Sequence, residues 1–98
     1  MKLLSIAQSG MQAAQARLDA SAHNVANLST PGFRALKVES SPQADGGVVT
    51  RVDQETQPGV SLETELVQQR AASYAYKASL KVVQTEDRLM GSLLDIKT

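Results

Sequence analysis

Apolar residues in the first third of the chain recur at Leu4, Ala7, Met11, Ala14, Leu18, Val25 and Leu28, with Ser21 the polar member of the same series. Alternating steps of three and four place such residues on one narrow stripe of a helix, so a helix is predicted from about Ser5 to Asn27. The alanines between Ala7 and Ala26 favour it and keep its surface thin enough for a second helix to approach closely. Gly10 costs about 1 kcal/mol against alanine in a helix interior and marks a weak point near the start. The run Leu28-Ser29-Thr30-Pro31-Gly32 ends the helix. Proline disfavours helical geometry at Thr30, and Pro31-Gly32 suits the centre of a type II turn.

Between residues 34 and 60 the period changes from helical to alternating. Leu36 and Val38 alternate with Lys37 and Glu39, and Val48, Thr50 and Val52 alternate with Val49, Arg51 and Asp53. Two short strands or an extended loop fit this pattern. The stretch Ser40 to Gly47 between them is long for a hairpin connection and is expected to be mobile.

Pro58-Gly59 closes the middle, and Ser61 suits a helix N-cap with Glu63 and Glu65 in the first turn, where the helix dipole favours acids. A second helix is predicted to about Asp95. Its series is Leu62, Leu66, Gln69, Ser73, Tyr76, Leu80, Val83, Asp87, Met90 and Leu94. At 1.5 Å per residue the two helices span roughly 35 and 50 Å. One leads into the β element and the other leaves it, so they run antiparallel with both chain ends at the far end. The fold expected is mainly α, with two long coiled-coil-like helices joined by a short β-hairpin or extended loop. That makes one domain in three parts: 1–33, 34–60 and 61–98. Two helices and a ribbon cannot enclose a core, and apolar edge is left in water around Leu89, Leu93 and Ile96. Assembly with other chains follows from this geometry.

Composition narrows the chemistry. Ten basic residues balance ten acidic ones in 98, so no excess charge draws the chain to nucleic acid or to an anionic membrane. Cysteine is absent, which removes disulfides and thiolate chemistry. The start Met1-Lys2-Leu3-Leu4 is too soon interrupted for a cleaved signal peptide, and no apolar stretch approaches a membrane span. His23 is the sole histidine, and Asp19 and Ser21 lie two positions apart on one helix, pointing away from each other. The acids are dispersed, so no metal site is expected. Asp45-Gly46-Gly47 lacks the strand–loop–helix setting of a phosphate cradle and reads as a turn. Tyr76 belongs to the apolar series, whereas Tyr74 falls on another face, where its polar end stays wet. Neither an enzyme nor a cofactor is expected.

The run Ser21-Ala22-His23-Asn24-Val25-Ala26-Asn27-Leu28-Ser29-Thr30-Pro31-Gly32-Phe33 resembles the N-terminal signature of bacterial flagellar rod and hook axial proteins. Upstream, Ser9 to Gln15 and Arg17-Leu18-Asp19 are similar to the first helix of that family. Glu65-Leu66-Val67, then Ala75-Tyr76, Lys81, Val83, Thr85, Asp87 and Leu89-Met90, are similar to its C-terminal helix. The short middle makes the chain most like a proximal-rod-type member. The residues of the signature turn also have a physical reading. Asn24 and Asn27 bond backbone groups at the helix end, Thr30-Pro31-Gly32 turns the chain with Gly32 at positive φ, and Phe33 folds back as an anchor.

The resemblance implies a structural subunit of the flagellar basal body rod, exported through the flagellum's own secretion apparatus without a cleaved signal peptide. Its partners would be copies of itself, other rod or axial proteins and that export apparatus. Packing into a tube would use Leu4, Met11, Leu18 and Val25 of the first helix. The second helix would contribute Leu66, Tyr76, Leu80, Val83, Met90 and Leu94. The rival is a cytoplasmic coiled-coil adaptor or export chaperone, which would form a small closed oligomer.

Overall fold

The computed structural model describes residues 2–97, and the side chains of 3–95. Four elements follow one another: α1 (Lys2–Ala26), β1 (Leu36–Pro42), β2 (Val48–Gln54) and α2 (Leu62–Lys97). The architecture is mainly helical, with two long helices joined by a two-stranded antiparallel hairpin. The molecule is a narrow plate of 64 × 25 × 14 Å.

The hairpin pairs Leu36 with Gln54 through to Pro42 with Val48. Pairing thus extends beyond the alternating residues, and the connection shrinks to Gln43–Gly47. This corrects the expectation of a long link. The loop is closed by Gln43 N donating to Gly47 O at 2.7 Å and Gly46 N donating to Gln43 O at 3.0 Å. It also rests on α1: a Cβ on Gly46 would lie 2.8 Å from Ile6 Cδ1, and Val48 N donates to Ser9 Oγ at 3.2 Å. On the hairpin's outer side Arg51 lies 3.0 Å from Glu39 and 3.9 Å from Asp53, an exposed ladder worth little in stability.

The hairpin packs on α1, and α1 packs on α2. One helix therefore serves two neighbours, and its small residues make that possible. Ala13 and Ala20 are buried on the strand side, where Ala20 shares a groove with Leu36 and Val52. Ala7, Ala14, Ser21 and Asn24 are buried on a stripe of alternating three- and four-residue steps, with Gly10 inside it. That stripe faces α2, on which Glu65 and Ala72 are buried and Ser79 meets Gly10. Gly10, expected as a weak point, is a place of close approach, because a Cβ there would stand 2.8 Å from Ser79 Oγ.

The same contact fixes the relative lengths of the helices. Counting from Gly10 opposite Ser79, α1 runs out opposite about residue 87, and α2 continues roughly 15 Å further. The two helix ends therefore do not meet at the far end, contrary to the sequence expectation. Every described side chain from Asp87 to Asp95 is exposed, including Leu89 and Leu93. The side chain of Ile96, expected on the same edge, lies outside the described residues. No helix among the described residues is long and apolar enough to cross a membrane.

Candidate functional site

The turn after α1 is built as its sequence suggests. Phe33 N donates to Thr30 O at 3.3 Å, closing a four-residue turn with Pro31 and Gly32 at its centre. Gly32 has φ 72°, the left-handed value that a type II turn needs at this position. Asn27 Nδ2 donates to His23 O at 2.9 Å and Thr30 Oγ1 donates to Asn27 Oδ1 at 3.1 Å, so the last carbonyls of α1 are partly satisfied by the turn. Phe33 folds back, its ring centroid 5.5 Å from that of His23. Gly59 N then donates to Phe33 O at 2.9 Å, tying the turn to the segment that enters α2.

Asn24, expected to bond backbone groups at the helix end beside Asn27, reaches β1 and α2 instead. Its Nδ2 donates to Leu36 O at 2.9 Å and to Glu65 Oε1 at 3.1 Å, and its Oδ1 accepts from Leu36 N at 2.7 Å. One side chain, 1% exposed, thus joins α1, β1 and α2. Beside it Ser21 Oγ donates to Glu65 O at 3.1 Å and accepts from Gln69 Nε2 at 3.1 Å. This buried polar cluster was missed as a unit in the sequence. Its trace there is that Ser21 and Gln69 interrupt the two apolar series at the end where the helices are joined.

The bulky stripes lie to one side of this seam. Leu4, Met11, Leu18 and Val25 are half-buried on the flank of α1, and Tyr76, Leu80 and Val83 are half-buried on α2. Met11 and Tyr76 line one shallow groove with Gln8, Gln12 and Gln15. Val83 follows Gln69 of the seam and Tyr76 in one heptad series, at the edge between seam and flank. Leu66, Met90 and Leu94 are exposed, at 52%, 43% and 63%. The flank thus carries two parallel apolar lines, on the side of the helix pair away from the hairpin.

This arrangement leaves apolar surface open beside the helix seam. His23 faces Phe33 rather than a carboxylate, and Asp19 Oδ1 accepts from Gln15. Among the described residues no group of three or more His, Cys, Asp or Glu could hold a metal ion.

Two family models match the chain. Residues 4–34 match that of the flagella basal body rod protein, and residues 56–96 match that of the flagellar basal body rod FlgEFG protein C-terminal region. The first covers nearly all of α1 and the signature turn, the second the approach to α2 and nearly all of that helix. The matched stretches are thus the helices and their junctions, with the hairpin between them. No individual curated protein matches.

Proposed function

The chain belongs to the flagellar basal body rod protein family, and from that premise we propose that it is a subunit of the rod's shaft, built in through the open flank of its helix pair. The observation that carries this is the division of labour between two faces of the helices. Small and polar residues (Gly10, Ala14, Ser21, Asn24, Ala72) close the pair within one chain, while most bulkier residues lie beside the seam, half-buried or exposed.

In this reading Leu4, Met11, Leu18 and Val25, with Leu66, Tyr76, Leu80, Met90 and Leu94, meet helices of neighbouring rod subunits, while Val83 lies nearer the intrachain seam. Burying a large aliphatic side chain contributes about 1.5–3 kcal/mol, so a few completed contacts per subunit suffice to hold a shaft. The exposed charge ladder of the hairpin suits it to the wet side of such a wall, where opposite charges discourage strand addition. A short middle in place of an inserted domain favours a proximal position. The route to that position is export through the flagellum's own secretion apparatus.

The test is the protein's presence in detergent-extracted basal bodies of a strain carrying it at its native level. Stoichiometric recovery with the rod is the expected result. Recovery only as a discrete soluble oligomer would favour the adaptor alternative.

A further inference from the structure

Most exposed large apolar residues of the helices form two groups at opposite ends of the plate. Where α1 turns, Leu28, Leu62 and Leu66 are 43%, 43% and 52% exposed. Beyond the reach of α1, Leu89, Met90, Leu93 and Leu94 are 60%, 43%, 59% and 63% exposed. Among the described residues, every member of both groups keeps more than two-fifths of its surface exposed.

We infer that the last turns of α2 in one copy lie beside the first turns of α2 and the end of α1 in a second copy of this chain, head to tail. The inference rests on the rod reading and names the contact by which one copy follows the next. Three observations select a second copy as the occupant. First, Met90 and Leu94 repeat Leu62 and Leu66 at a distance of four heptads within one stripe. Parallel helices displaced by that distance bring Met90 level with Leu62 and Leu94 level with Leu66, as in a coiled coil. Second, the free segment of roughly 15 Å matches the two to three turns from Leu62 to about residue 70 on which it would lie. Third, Leu62 and Met90 are in heptad phase with Tyr76, and Leu66 and Leu94 with Leu80, so these four continue the flank on which Met11 and Tyr76 lie, and the hairpin packs on another side of α1, clear of the contact.

The symmetry of such a contact is informative. It joins two different patches and displaces each copy along the helix axis with the helices kept parallel, so it repeats without closing and makes an open array. Pairing of two free segments would instead be self-complementary, would close as a dimer and would leave Leu62 and Leu66 in water.

Absence of cysteine makes the test clean, since Leu62→Cys and Met90→Cys variants of the full chain each carry one thiol. The purified single variants are mixed at high concentration under mild oxidation, and the products are mapped by mass spectrometry. The expected product joins Cys at 62 of one copy to Cys at 90 of another, and the double variant gives a ladder of linear oligomers. The ladder should be lost when Leu94→Asp is added, while helicity by circular dichroism is retained. A dominant 90-to-90 product, or monomer alone, would overturn the inference. The same double variant is oxidised in isolated basal bodies. Incorporated protein without the 62-to-90 bond overturns the contact and leaves the rod reading standing. A ladder in solution from a protein absent from basal bodies does the reverse.

Discussion

Asn24 and Glu65 meet across the helix seam, the amide Nδ2 of one 3.1 Å from Oε1 of the other, both buried. The pair sits where α1 ends, β1 begins and α2 begins, so it sets the register of three elements. A buried polar contact of this kind discriminates among alignments because any slip leaves its members unpaired. Sliding α2 by one turn would strand Glu65 opposite Ala20 or Leu28 and abandon its bonds from Asn24 Nδ2 and Ser21 Oγ.

Asn24→Ala should therefore cost about 2–5 kcal/mol, because it orphans the Leu36 amide and carbonyl and leaves a buried carboxylate without its donor. Asn24→Asp should be at least as damaging, since a second carboxylate would face Glu65. Adding Glu65→Gln to Asn24→Asp should recover part of the loss by restoring a donor at the seam. Urea unfolding followed by circular dichroism measures all three. Equal stability of Asn24→Ala and the unsubstituted chain would show that the cluster does not hold the register.

Gly10 offers a substitution whose sign is decided by competing terms. Alanine gains about 1 kcal/mol of helix propensity over glycine. Its Cβ would fall 2.8 Å from Ser79 Oγ, a hydroxyl that can rotate away, with Ser79 Cβ at 3.9 Å. Gly10→Ala is thus expected within about 1 kcal/mol of the parent, and Gly10→Ala with Ser79→Ala to be more stable than either single change. Gly10→Leu has no such escape and should part the helices, at about 1–3 kcal/mol for the overpacking. Thermal unfolding of the four variants gives the order directly.

At Gly32 the cost is conformational alone. Nothing lies within 4 Å of a Cβ placed there, but φ is +72°. Gly32→Val should lose about 1–3 kcal/mol, and Gly32→Asn clearly less, because asparagine visits the left-handed region more readily. A turn that tolerated valine without loss would have to have changed its geometry. The ring contact between His23 and Phe33, followed by nuclear Overhauser effects, would report that change.

These cases show what was legible in the sequence. Helix extents, the hairpin, the Thr30 to Phe33 turn and the Ser61 N-cap all rest on local rules of period, turn chemistry and capping. They are visible in consecutive residues, and Thr64 N indeed donates to Ser61 Oγ at 3.4 Å. The seam was harder because its members, Asn24, Leu36 and Glu65, are distant in sequence and two of them are polar. Hydrophobic periodicity follows the bulky residues, and here those lie beside the seam rather than in it. Small residues such as Gly10 and Ala72 carry little periodic signal, yet they let the backbones come close.

That offset determines which variants separate folding from assembly. Val83 is half-buried and in phase with the intrachain seam, whereas Leu66 is 52% exposed on the flank. An aspartate at position 83 would push a charge against α1 within its own chain. Val83→Asp should therefore lower the stability of the isolated protein by about 1–3 kcal/mol before any neighbour is involved. Leu66→Asp should leave the isolated chain within about 0.5 kcal/mol of the parent, as expected for an exposed site. If the flank is the subunit contact, Leu66→Asp nevertheless fails to enter basal bodies, because its carboxylate would be desolvated at every repeat of the array. Lys77→Asp, on an exposed position of the same helix, serves as the charge control and should be incorporated. Secreted and basal-body-bound protein are quantified separately in a strain lacking the parent gene. Normal incorporation and motility of Leu66→Asp would remove the flank as the assembly surface, whatever Val83→Asp does to folding.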